Sequence, residues 1–385
     1  MKGVAIVGTG HSKFGRRDDA SLRELAFEST KEALEDAEMS THDIEATVIS
    51  VANQFLANQT QSGAIVTDYT GMNTKPSFTT VAACASGSAA IRAAWTAIAS
   101  GLHDTVLVCG VEKMTEVSTP RITEFLGFAG DPKWESRPTG ITNPGIYAMF
   151  ACAHMHKYGT TERQLALVAV KNHKYGAMNP VAHLRREVTV EDALKSRMIA
   201  YPLKIYDCSM ISDGAAAVIL ASEEKAKKIT DTPISIVGLG CATDTAAMHD
   251  RADLTSFRSV VEASKQAYKM ADVSPEDIDV ACVHDCFTIA EIMAYEDLGF
   301  CEKGRGGNFI EEEQSYIGGK TPTNVDGGLK SKGHPLGATG VSMAVEITKQ
   351  LRGECGSRQV PGAEIGLSHN LAMHGTHCMV HIYRR

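Results

Sequence analysis

The sequence carries one pattern of elements twice, and this internal duplication restricts the folds open to the chain more than any other feature. The apolar run Val4–Val7, closed by two glycines, has a counterpart in Ile234–Val237, 230 residues later. Amphipathic helices are predicted after these runs, over residues 21–38 and 257–271, because apolar side chains recur there at helical spacing. Both helices end in a similar pattern of Ala, Ser, Asp and Ile residues.

Two more pairs follow in the same order. An apolar strand is predicted after each helix, at residues 46–51 and 280–283. Further on, Cys84–Ile91 matches His334–Val341 at an offset of 250, and each segment opens a helix of small residues. Three ordered pairs with slowly growing offsets predict two similar α/β halves packed against each other.

The segment between the halves has no counterpart in the second half. Residues 112–201 are rich in Met, Tyr, His and Pro, and they show helical spacing over 161–175. We interpret this segment as an inserted loop or lid subdomain that faces the substrate. The predicted division is then an N-terminal half formed by residues 1–111 and 202–230, the insertion, and a C-terminal half at 231–385.

Composition excludes several classes of protein. The net charge is −8, from 38 basic and 46 acidic residues, and the chain has no basic stripe of the kind that nucleic-acid binders show. The longest apolar runs, such as 215–221, are far shorter than the ~20 residues of a membrane span. Ten cysteines without a Cys-x-x-Cys pair predict neither a disulfide framework nor a zinc knuckle. We therefore expect a cytoplasmic protein that binds neither nucleic acid nor membrane.

Cys84 is the first candidate catalytic residue. A strand predicted over residues 78–84 leads into an Ala-rich helix predicted over 85–98, so the thiol lies at a strand-to-helix turn. A helix N-terminus favours the thiolate, which is the nucleophilic form, so a lowered thiol pKa is expected here. The alternative is a small cysteine buried in a tight turn.

His334 occupies the position that corresponds to Cys84 in the second half. Pro335 suits the start of a helix, so His334 is presented at a helix N-terminus. Where two similar halves meet, these two turns can face each other and form a nucleophile–base pair. The alternative is a histidine that only caps its helix.

His284 and Cys286 follow the strand predicted at 280–283. Alternate residues on a strand point to one face, so this pair is a second acid–base candidate. Cys282 shares that face, but no second ligand cluster accompanies the three residues, which makes a metal site a weak alternative. A histidine satisfied within the core is the other alternative.

Near the C-terminus, three histidines and a glycine follow a predicted strand. The N–H of Gly375 is a candidate oxyanion donor. His369, His374 and His377 form at most a weak metal signal.

Taken together, these motifs resemble the thiolase superfamily over essentially the whole chain. The matching segments are the Cys84 turn, Gly333–Gly340, Ser212–Val218 and Met155–Glu162. The resemblance implies an α/β thiolase fold: two βαβαβαββ halves in a five-layer α-β-α-β-α arrangement with an inserted loop subdomain.

The subtype is similar to sterol-carrier-protein thiolases and archaeal acetoacetyl-CoA thiolases. Here His284–Phe287 reads His-Asp-Cys-Phe where other thiolases have Asn-Glu-Ala-Phe, and Met373–Gly375 replaces their Cys-x-Gly. In the similar subtype, the cysteine of the first motif takes the acid–base role, which implies that role for Cys286.

The resemblance implies a ping-pong Claisen condensation of two acetyl-CoA molecules to acetoacetyl-CoA, and the reverse thiolysis. Cys84 would carry the acyl group, with His334 as its base, while His284 and His334 donate to the enolate oxygen. The N–H groups of Cys84 and Gly375 would bind the thioester oxygen. Coenzyme A is then substrate and product, with Ser209 near its pantetheine arm, and neither a cofactor nor a metal is expected.

Alternatives with the same fold are a hydroxymethylglutaryl-CoA synthase or ketoacyl synthase, a thiolase for longer 3-ketoacyl-CoA, and a non-catalytic scaffold. The resemblance also implies a homodimer or homotetramer. It further implies a complex with hydroxymethylglutaryl-CoA synthase and a small zinc-containing partner, and through it a place in the mevalonate pathway.

Overall fold

The structure is a computed structural model that describes residues 1–385. It contains eleven strands: β1 Val4–His11, β2 Ala46–Ser50, β3 Ser77–Thr80, β4 Thr105–Glu112, β5 Met198–Ala200, β6 Leu203–Lys204, β7 Gly214–Ser222, β8 Ile234–Thr243, β9 Val280–Cys282, β10 Ile365–Ala372 and β11 His377–Arg384. It contains thirteen helices: α1 Leu22–Asp36, α2 Ser62–Tyr69, α3 Ser86–Ala99, α4 Thr119–Gly127, α5 Arg137–Thr139, α6 Asn143–Tyr158, α7 Glu162–Met178, α8 Val190–Lys195, α9 Glu223–Ile229, α10 Arg258–Ala271, α11 Thr288–Asp297, α12 Gly306–Glu311 and α13 Leu336–Arg352.

Nine strands form one mixed sheet in the order β3-β2-β4-β7-β1-β8-β11-β10-β9. The first five strands precede residue 223 and the last four follow residue 233. The two groups join through a short antiparallel pairing of β1 with β8, in which Ala5 faces Ser235 and Ile6 faces Ile234. The sheet therefore consists of two smaller sheets with a narrow seam between them.

Helices cover both faces of each smaller sheet. Helices α3 and α13 pack against each other, and α13 also contacts β4, β7 and β10. Helix α1 packs on β1 and β7, and α10 packs on β8 and β11. The layers are thus α-β-α-β-α, which confirms the predicted fold class.

The sequence predicted that the repeated glycines end the first strand of each half. The structure differs, because both strands continue past these glycines. Both β1 and β8 continue past them, to His11 and Thr243. A Cβ atom on Gly10 would lie 2.0 Å from the Ser29 carbonyl of α1, and one on Gly240 would lie 1.7 Å from the Ala263 carbonyl of α10. These glycines let a helix approach the sheet closely. In sequence, a glycine with this packing role looks the same as one that ends a strand.

The second half departs from the predicted βαβαβαββ order at one strand. The counterpart of β3 is reduced to a single bridge between Ala281 and Thr323. Next to it, Asn324 adopts a left-handed φ of 54° and its side-chain oxygen accepts the N–H of Val283 at 2.8 Å. The side chain replaces a ladder hydrogen bond, and the backbone turns away from the sheet.

Residues 112–201 form helices rather than an irregular loop. They hold α4 to α8, and α7 packs on α11 and α12 of the following half. Thr161 and Gln164 cap α7 reciprocally, which explains why this helix begins where the sequence predicted. No helix combines the length and the apolar character that crossing a membrane requires.

Candidate active site

Cys84 lies in a tight turn between β3 and α3. The predicted strand ends four residues early, at Thr80. The Ser86 hydroxyl then accepts the N–H of Ala82 at 2.7 Å and donates to the carbonyl of Ala83 at 2.6 Å. Ala83 has a left-handed φ of 46°. This turn brings the buried thiol of Cys84 to the start of α3, as the sequence predicted.

Close approach of α3 to α13 brings the two catalytic turns together. A Cβ atom on Gly87 would lie 2.8 Å from the backbone nitrogen of Val341, and one on Gly340 would lie 2.3 Å from that of Ser88. The two helices therefore cross at glycines near their N-termini. The turns that present Cys84 and His334 face each other because of this crossing.

Three of the predicted site residues form a compact triangle. The sulfur of Cys84 and one ring nitrogen each of His284 and His334 lie within 4.8 Å of one another. The two imidazole rings are nearly perpendicular, with centroids 5.1 Å apart. All three residues are buried, so charges that form here are poorly screened by water.

The proton on His334 is fixed by a threonine. The Thr339 hydroxyl donates to the carbonyl of Pro335 at 2.9 Å, so it accepts from Nδ1 of His334 at 2.7 Å. Nε2 then carries the lone pair, and it has no hydrogen-bond partner. This tautomer makes His334 a base for the Cys84 thiol.

His284 has the opposite tautomer. The Asn370 side-chain amide donates to Nδ1 of His284 at 3.2 Å, which places the proton on Nε2. That Nε2 is also buried without a partner. One histidine of the triangle thus offers a lone pair, and the other offers an N–H donor.

Cys286 faces the same cavity as Cys84, and Tyr147 holds it there. The Tyr147 hydroxyl donates to the carbonyl of Met373 at 2.5 Å. Burial raises the pKa of the Cys286 thiol, and the nearby Tyr147 hydroxyl lowers it in part. Its ring stacks on Phe287, with centroids 4.4 Å apart. Sequence reasoning missed Tyr147, Thr339 and Asn370. Only the enrichment of tyrosine in the insertion pointed toward the first of them.

Asp285 fixes the loop between His284 and Cys286. One carboxylate oxygen accepts the N–H of Leu329 at 2.7 Å, and the other accepts from the Asn172 amide at 2.8 Å. Burial and the nearby Glu291 raise the pKa of Asp285 to about 7. This residue ties the His-Asp-Cys-Phe segment to the chain that leads into His334.

The ionisation of Cys84 and His334 differs from the sequence prediction, which expected a lowered pKa for the Cys84 thiol. Burial raises the pKa of Cys84 to about 11, although the N–H of Met373 lowers it in part. Burial lowers the pKa of His334 to about 3. For the pKa of Cys84, the effect of desolvation is larger than the effect of the helix N-terminus. At rest, Cys84 is therefore a neutral thiol and His334 a neutral imidazole. A nucleophilic attack by this thiol would therefore require transfer of its proton to a base, and Nε2 of His334 is free to accept one.

Gly375, the predicted oxyanion donor, lies in the turn that follows β10. Its N–H donates to the carbonyl of Ala372 at 3.1 Å, within a turn. The backbone N–H groups that lower the pKa of Cys84, against the larger effect of burial, are those of Met373 and of Cys84 itself. Gly375 instead has a φ of 91°, and a Cβ atom there would lie 2.4 Å from the Phe257 ring. Turn geometry requires glycine at this position, and the sequence alone cannot separate that requirement from an oxyanion role.

A cavity of about 170 Å³ connects these groups. Twelve of its seventeen lining residues are hydrophobic, and Cys84, Cys286, His334 and Ser209 are among the lining residues. The Ser209 N–H donates to the Cys286 carbonyl at 2.9 Å. Helix α4 of the insertion contributes Ile122 to the wall. The cavity suits a slender, mostly apolar ligand that reaches Cys84.

The other residues considered for a metal site do not form a common cluster. Cys282 is the last residue of β9 and does not line this cavity. His369 accepts the N–H of His284, His374 meets the carbonyl of Ala246, and His377 contacts Cys241. These three histidines have separate partners.

The fold and the site define a class: a duplicated α/β protein whose halves contribute a thiol and an imidazole to one buried cavity. Comparison with known families agrees with this class. The family model described as "Thiolase, N-terminal domain" matches residues 4–224. The family model described as "Thiolase C-terminal domain-like" matches residues 240–385.

Individual relatives extend the match over the full chain. An acetyl-CoA acetyltransferase of Methanothermobacter thermautotrophicus is 46% identical over 100% of both chains. Sterol carrier protein 2 of Bos taurus is 34% identical over 97% of this chain and 70% of its own length. The solved structure titled "Ltp2-ChsH2(DUF35) aldolase" has a TM-score of 0.86 at 26% identity and covers 98% of this chain and 97% of that chain. The chain belongs to the thiolase family.

Proposed function

We propose that the protein is an acetyl-CoA C-acetyltransferase, which condenses two acetyl-CoA molecules to acetoacetyl-CoA and CoA and catalyses the reverse thiolysis. The observation that carries this proposal is that Cys84, Cys286 and His334 line one cavity, with a ring nitrogen of His284 within 4.8 Å of the Cys84 sulfur and of a His334 ring nitrogen. The name of the relative at 46% identity supports the same activity.

In the first half-reaction, Nε2 of His334 accepts the Cys84 proton while the sulfur attacks the thioester carbonyl of acetyl-CoA. The tautomer set by Thr339 leaves that nitrogen free to do so. The carbonyl oxygen gains charge near the N–H groups of Cys84 and Met373, which both lower the pKa of the same sulfur. CoA leaves as a thiol with the proton of Cys286, and the acetyl group stays on Cys84.

In the second half-reaction, the Cys286 thiolate removes a proton from the methyl group of a second acetyl-CoA. The N–H at Nε2 of His284 and the protonated His334 stabilise the enolate oxygen. The enolate carbon attacks the acetyl group on Cys84, and acetoacetyl-CoA forms. The expelled Cys84 sulfur regains its proton from His334, so both cysteines return to thiols.

Coenzyme A enters this scheme as substrate and product. Ser209 is proposed to contact its pantetheine arm, because Ser209 lines the cavity beside Cys286. The chemistry is carried by thiols, imidazoles and backbone donors of the chain itself.

The activity is tested with acetoacetyl-CoA and free CoA, by following the loss of enolate absorbance. Wild type is expected to consume acetoacetyl-CoA, and Cys84→Ala is expected to show no activity. Cys109→Ala is the matched control because Cys109 is buried in β4 away from the cavity. Mass spectrometry with acetyl-CoA should place an acetyl group on Cys84, with more of it in Cys286→Ala.

Two results would contradict the proposal in different ways. Turnover only of longer 3-ketoacyl-CoA would make the protein a thiolase of another chain length, which the apolar cavity wall would accommodate. Inertness to all of them, without acylation of Cys84, would leave a scaffold with a thiolase fold.

We further propose a homo-oligomer in the cytoplasm. Strand β3 is an edge of the sheet, and exposed apolar side chains lie along it and just after it. All ten cysteines are free, which fits a reducing compartment. A complex with hydroxymethylglutaryl-CoA synthase and a small zinc-containing partner stays a prediction. The 26% identical relative is titled together with a second protein, which supports the idea that such chains assemble with partners.

A further inference from the structure

We propose that Cys84, His284 and His334 also form a binding site for a thiophilic divalent cation such as Zn²⁺, which inhibits the enzyme by occupying its nucleophile. The sulfur and the two ring nitrogens lie within 4.8 Å of one another. In a tetrahedral zinc site, bond lengths near 2.0–2.3 Å place neighbouring ligand atoms about 3.5 Å apart. Small rotations of the three side chains, which move each ligand atom by a fraction of an ångström, bring all three atoms within bonding distance of one ion.

The histidine nitrogens that would bind the cation lack any other partner. Nε2 of His284 and Nε2 of His334 are both buried, and neither accepts nor donates a hydrogen bond. Buried nitrogens of this kind normally find a partner, because desolvation without one is costly. A thiolate with two imidazoles is also the donor set that Zn²⁺ and Co²⁺ prefer.

His334 is ready for a metal as it stands, and His284 needs one change. Thr339 already keeps the lone pair of His334 on Nε2. For His284, the proton must move to Nδ1, where an oxygen must accept it. The side-chain oxygen of Asn370 is buried without a partner, so rotation of that amide presents it to Nδ1. The catalytic and metal-bound forms therefore differ by one tautomer and one amide rotation.

Binding exchanges a proton for the cation. The S–H bond of Cys84 breaks, the metal–sulfur bond forms, and the proton goes to solvent. A water molecule or the thiol of Cys286, which lines the same cavity, completes the coordination. No electron transfer takes place. Because the sulfur lone pair is then engaged, Cys84 cannot attack a thioester, and an acylated Cys84 cannot bind the ion.

The first test is a titration of the reduced protein with Co²⁺, followed by displacement with Zn²⁺. We expect one equivalent per chain, with a sulfur-to-cobalt charge-transfer band and the intense visible bands of a tetrahedral site. Cys84→Ala should lose the charge-transfer band, and His284→Asn and His334→Asn should weaken binding more than tenfold. Circular dichroism of each variant checks its fold. Folded wild type alkylated at Cys84 is a second way to remove the ligand without a mutation.

A matched control is available on the surface. Cys241 and His377 also touch, with the sulfur 3.1 Å from Nε2, so they form the other cysteine–histidine contact that could attract the probe. Cys241→Ser should leave the band and the stoichiometry unchanged. The proposal is overturned if wild type shows no charge-transfer band, if Cys84→Ala keeps it, or if only Cys241→Ser loses it.

The cation site itself does not depend on the proposed function. The expectation that an acyl group on Cys84 excludes the cation does depend on it. Pre-treatment with acetyl-CoA should place an acetyl group on Cys84 and abolish the band. A band without any acetyl adduct would refute the transferase while the cation site stands. An adduct without a band in the free enzyme would refute the cation site while the transferase stands.

Discussion

At the scale of single residues, the chemistry of His334 depends on a hydroxyl group that the substrate does not need to touch. Thr339→Val keeps the shape of the side chain but removes the acceptor for Nδ1 of His334. The imidazole then loses its fixed tautomer, and we expect acylation of Cys84 to slow by about 10- to 100-fold, a part of what a general base contributes. Single-turnover acylation with acetyl-CoA measures this rate.

Thr348 supplies the matched control on the same helix. Its hydroxyl is buried in α13 without a hydrogen-bond partner, so Thr348→Val should leave acylation unchanged and lower stability little or not at all. Equal losses in both variants would show that the effect comes from packing of α13 and not from the tautomer of His334.

The neutral resting pair predicts an unusual pH dependence for Cys84. Its raised pKa of about 11 means that the thiolate fraction keeps increasing well above pH 8.5, the ordinary range of a cysteine. Alkylation of Cys84 by iodoacetamide should therefore be slow at pH 7 and rise without a plateau up to pH 10. The exposed Cys152 reports reagent quality in the same sample. A plateau between pH 6 and 8 would instead indicate a stable thiolate–imidazolium pair.

The sequence pointed to the residues that the structure brings together, but not to the residues that set their protonation. Cys84, His334 and the His284–Cys286 pair lie at element ends within recognisable motifs. The structure brings Cys84, Cys286 and His334 to one cavity and places His284 beside Cys84 and His334. Tyr147, Thr339 and Asn370 act through contacts that only the packed chain creates. The oxyanion role of Gly375 stays a prediction, because a glycine that a turn requires looks the same in sequence as one that offers its N–H.

At the scale of elements, the crossing of α3 and α13 decides whether the site exists. A Cβ atom on Gly340 would lie 2.3 Å from the Ser88 nitrogen and 2.4 Å from the Asn370 side-chain oxygen. Gly340→Ala must push the helices apart and disturb the partner of His284. We expect a loss of about 1–3 kcal/mol in the free energy of unfolding, with a larger loss in kcat than in KM.

Gly127→Ala is the corresponding control in helix α4. There the nearest atom to a new Cβ, on Ser136, is 3.5 Å away, which is an ordinary contact. This variant should match or exceed wild type in stability, because alanine favours the helix. Urea denaturation and steady-state kinetics compare the two variants. Wild-type behaviour of Gly340→Ala would mean that the helices have room to separate.

The extent of each element was less predictable than its existence. Periodicity found α1, α7 and α10 within a few residues, because α1 and α10 pack an apolar face on the sheet and α7 packs on α11 and α12. The early end of β3 was not predictable, since it depends on the side chain of Ser86 hydrogen-bonding to the turn. The missing strand beside β9 had the same kind of cause, because Asn324 takes over a backbone partner.

At the scale of the whole molecule, the exposed edge at β3 predicts a dimer that supports the active site. Val81 is 64% exposed in the segment that leads from β3 to Cys84. Val81→Asp should shift the protein from dimer to monomer and reduce activity, since the Cys84 turn loses its support. Light scattering coupled to gel filtration gives the mass, and the thiolysis assay gives the activity.

Leu102→Asp tests whether any new surface charge has this effect. Leu102 is 71% exposed but lies in the loop after α3, away from the edge strand. Its variant should keep the mass and activity of wild type. A wild type that is monomeric at micromolar concentration would exclude the dimer, and a Val81→Asp protein that stays dimeric would place the interface elsewhere.

The overall architecture was the most predictable level, because duplication is visible in sequence as ordered repeats. The ordered repeats predict two similar α/β halves packed against each other. The five layers came from the resemblance to the thiolase superfamily. The narrow seam between β1 and β8 was not foreseen, since it involves only two residue pairs at strand ends.

The crossing of α3 and α13 also governs what an unfinished chain can do. The thiol belongs to the first half and its base to the second, and they meet only when both helices have docked. During synthesis, the segment that carries Cys84 emerges about 250 residues before His334 and has no partner to deprotonate it. Acylation assisted by His334 therefore requires the completed tertiary structure, in which both helices have docked.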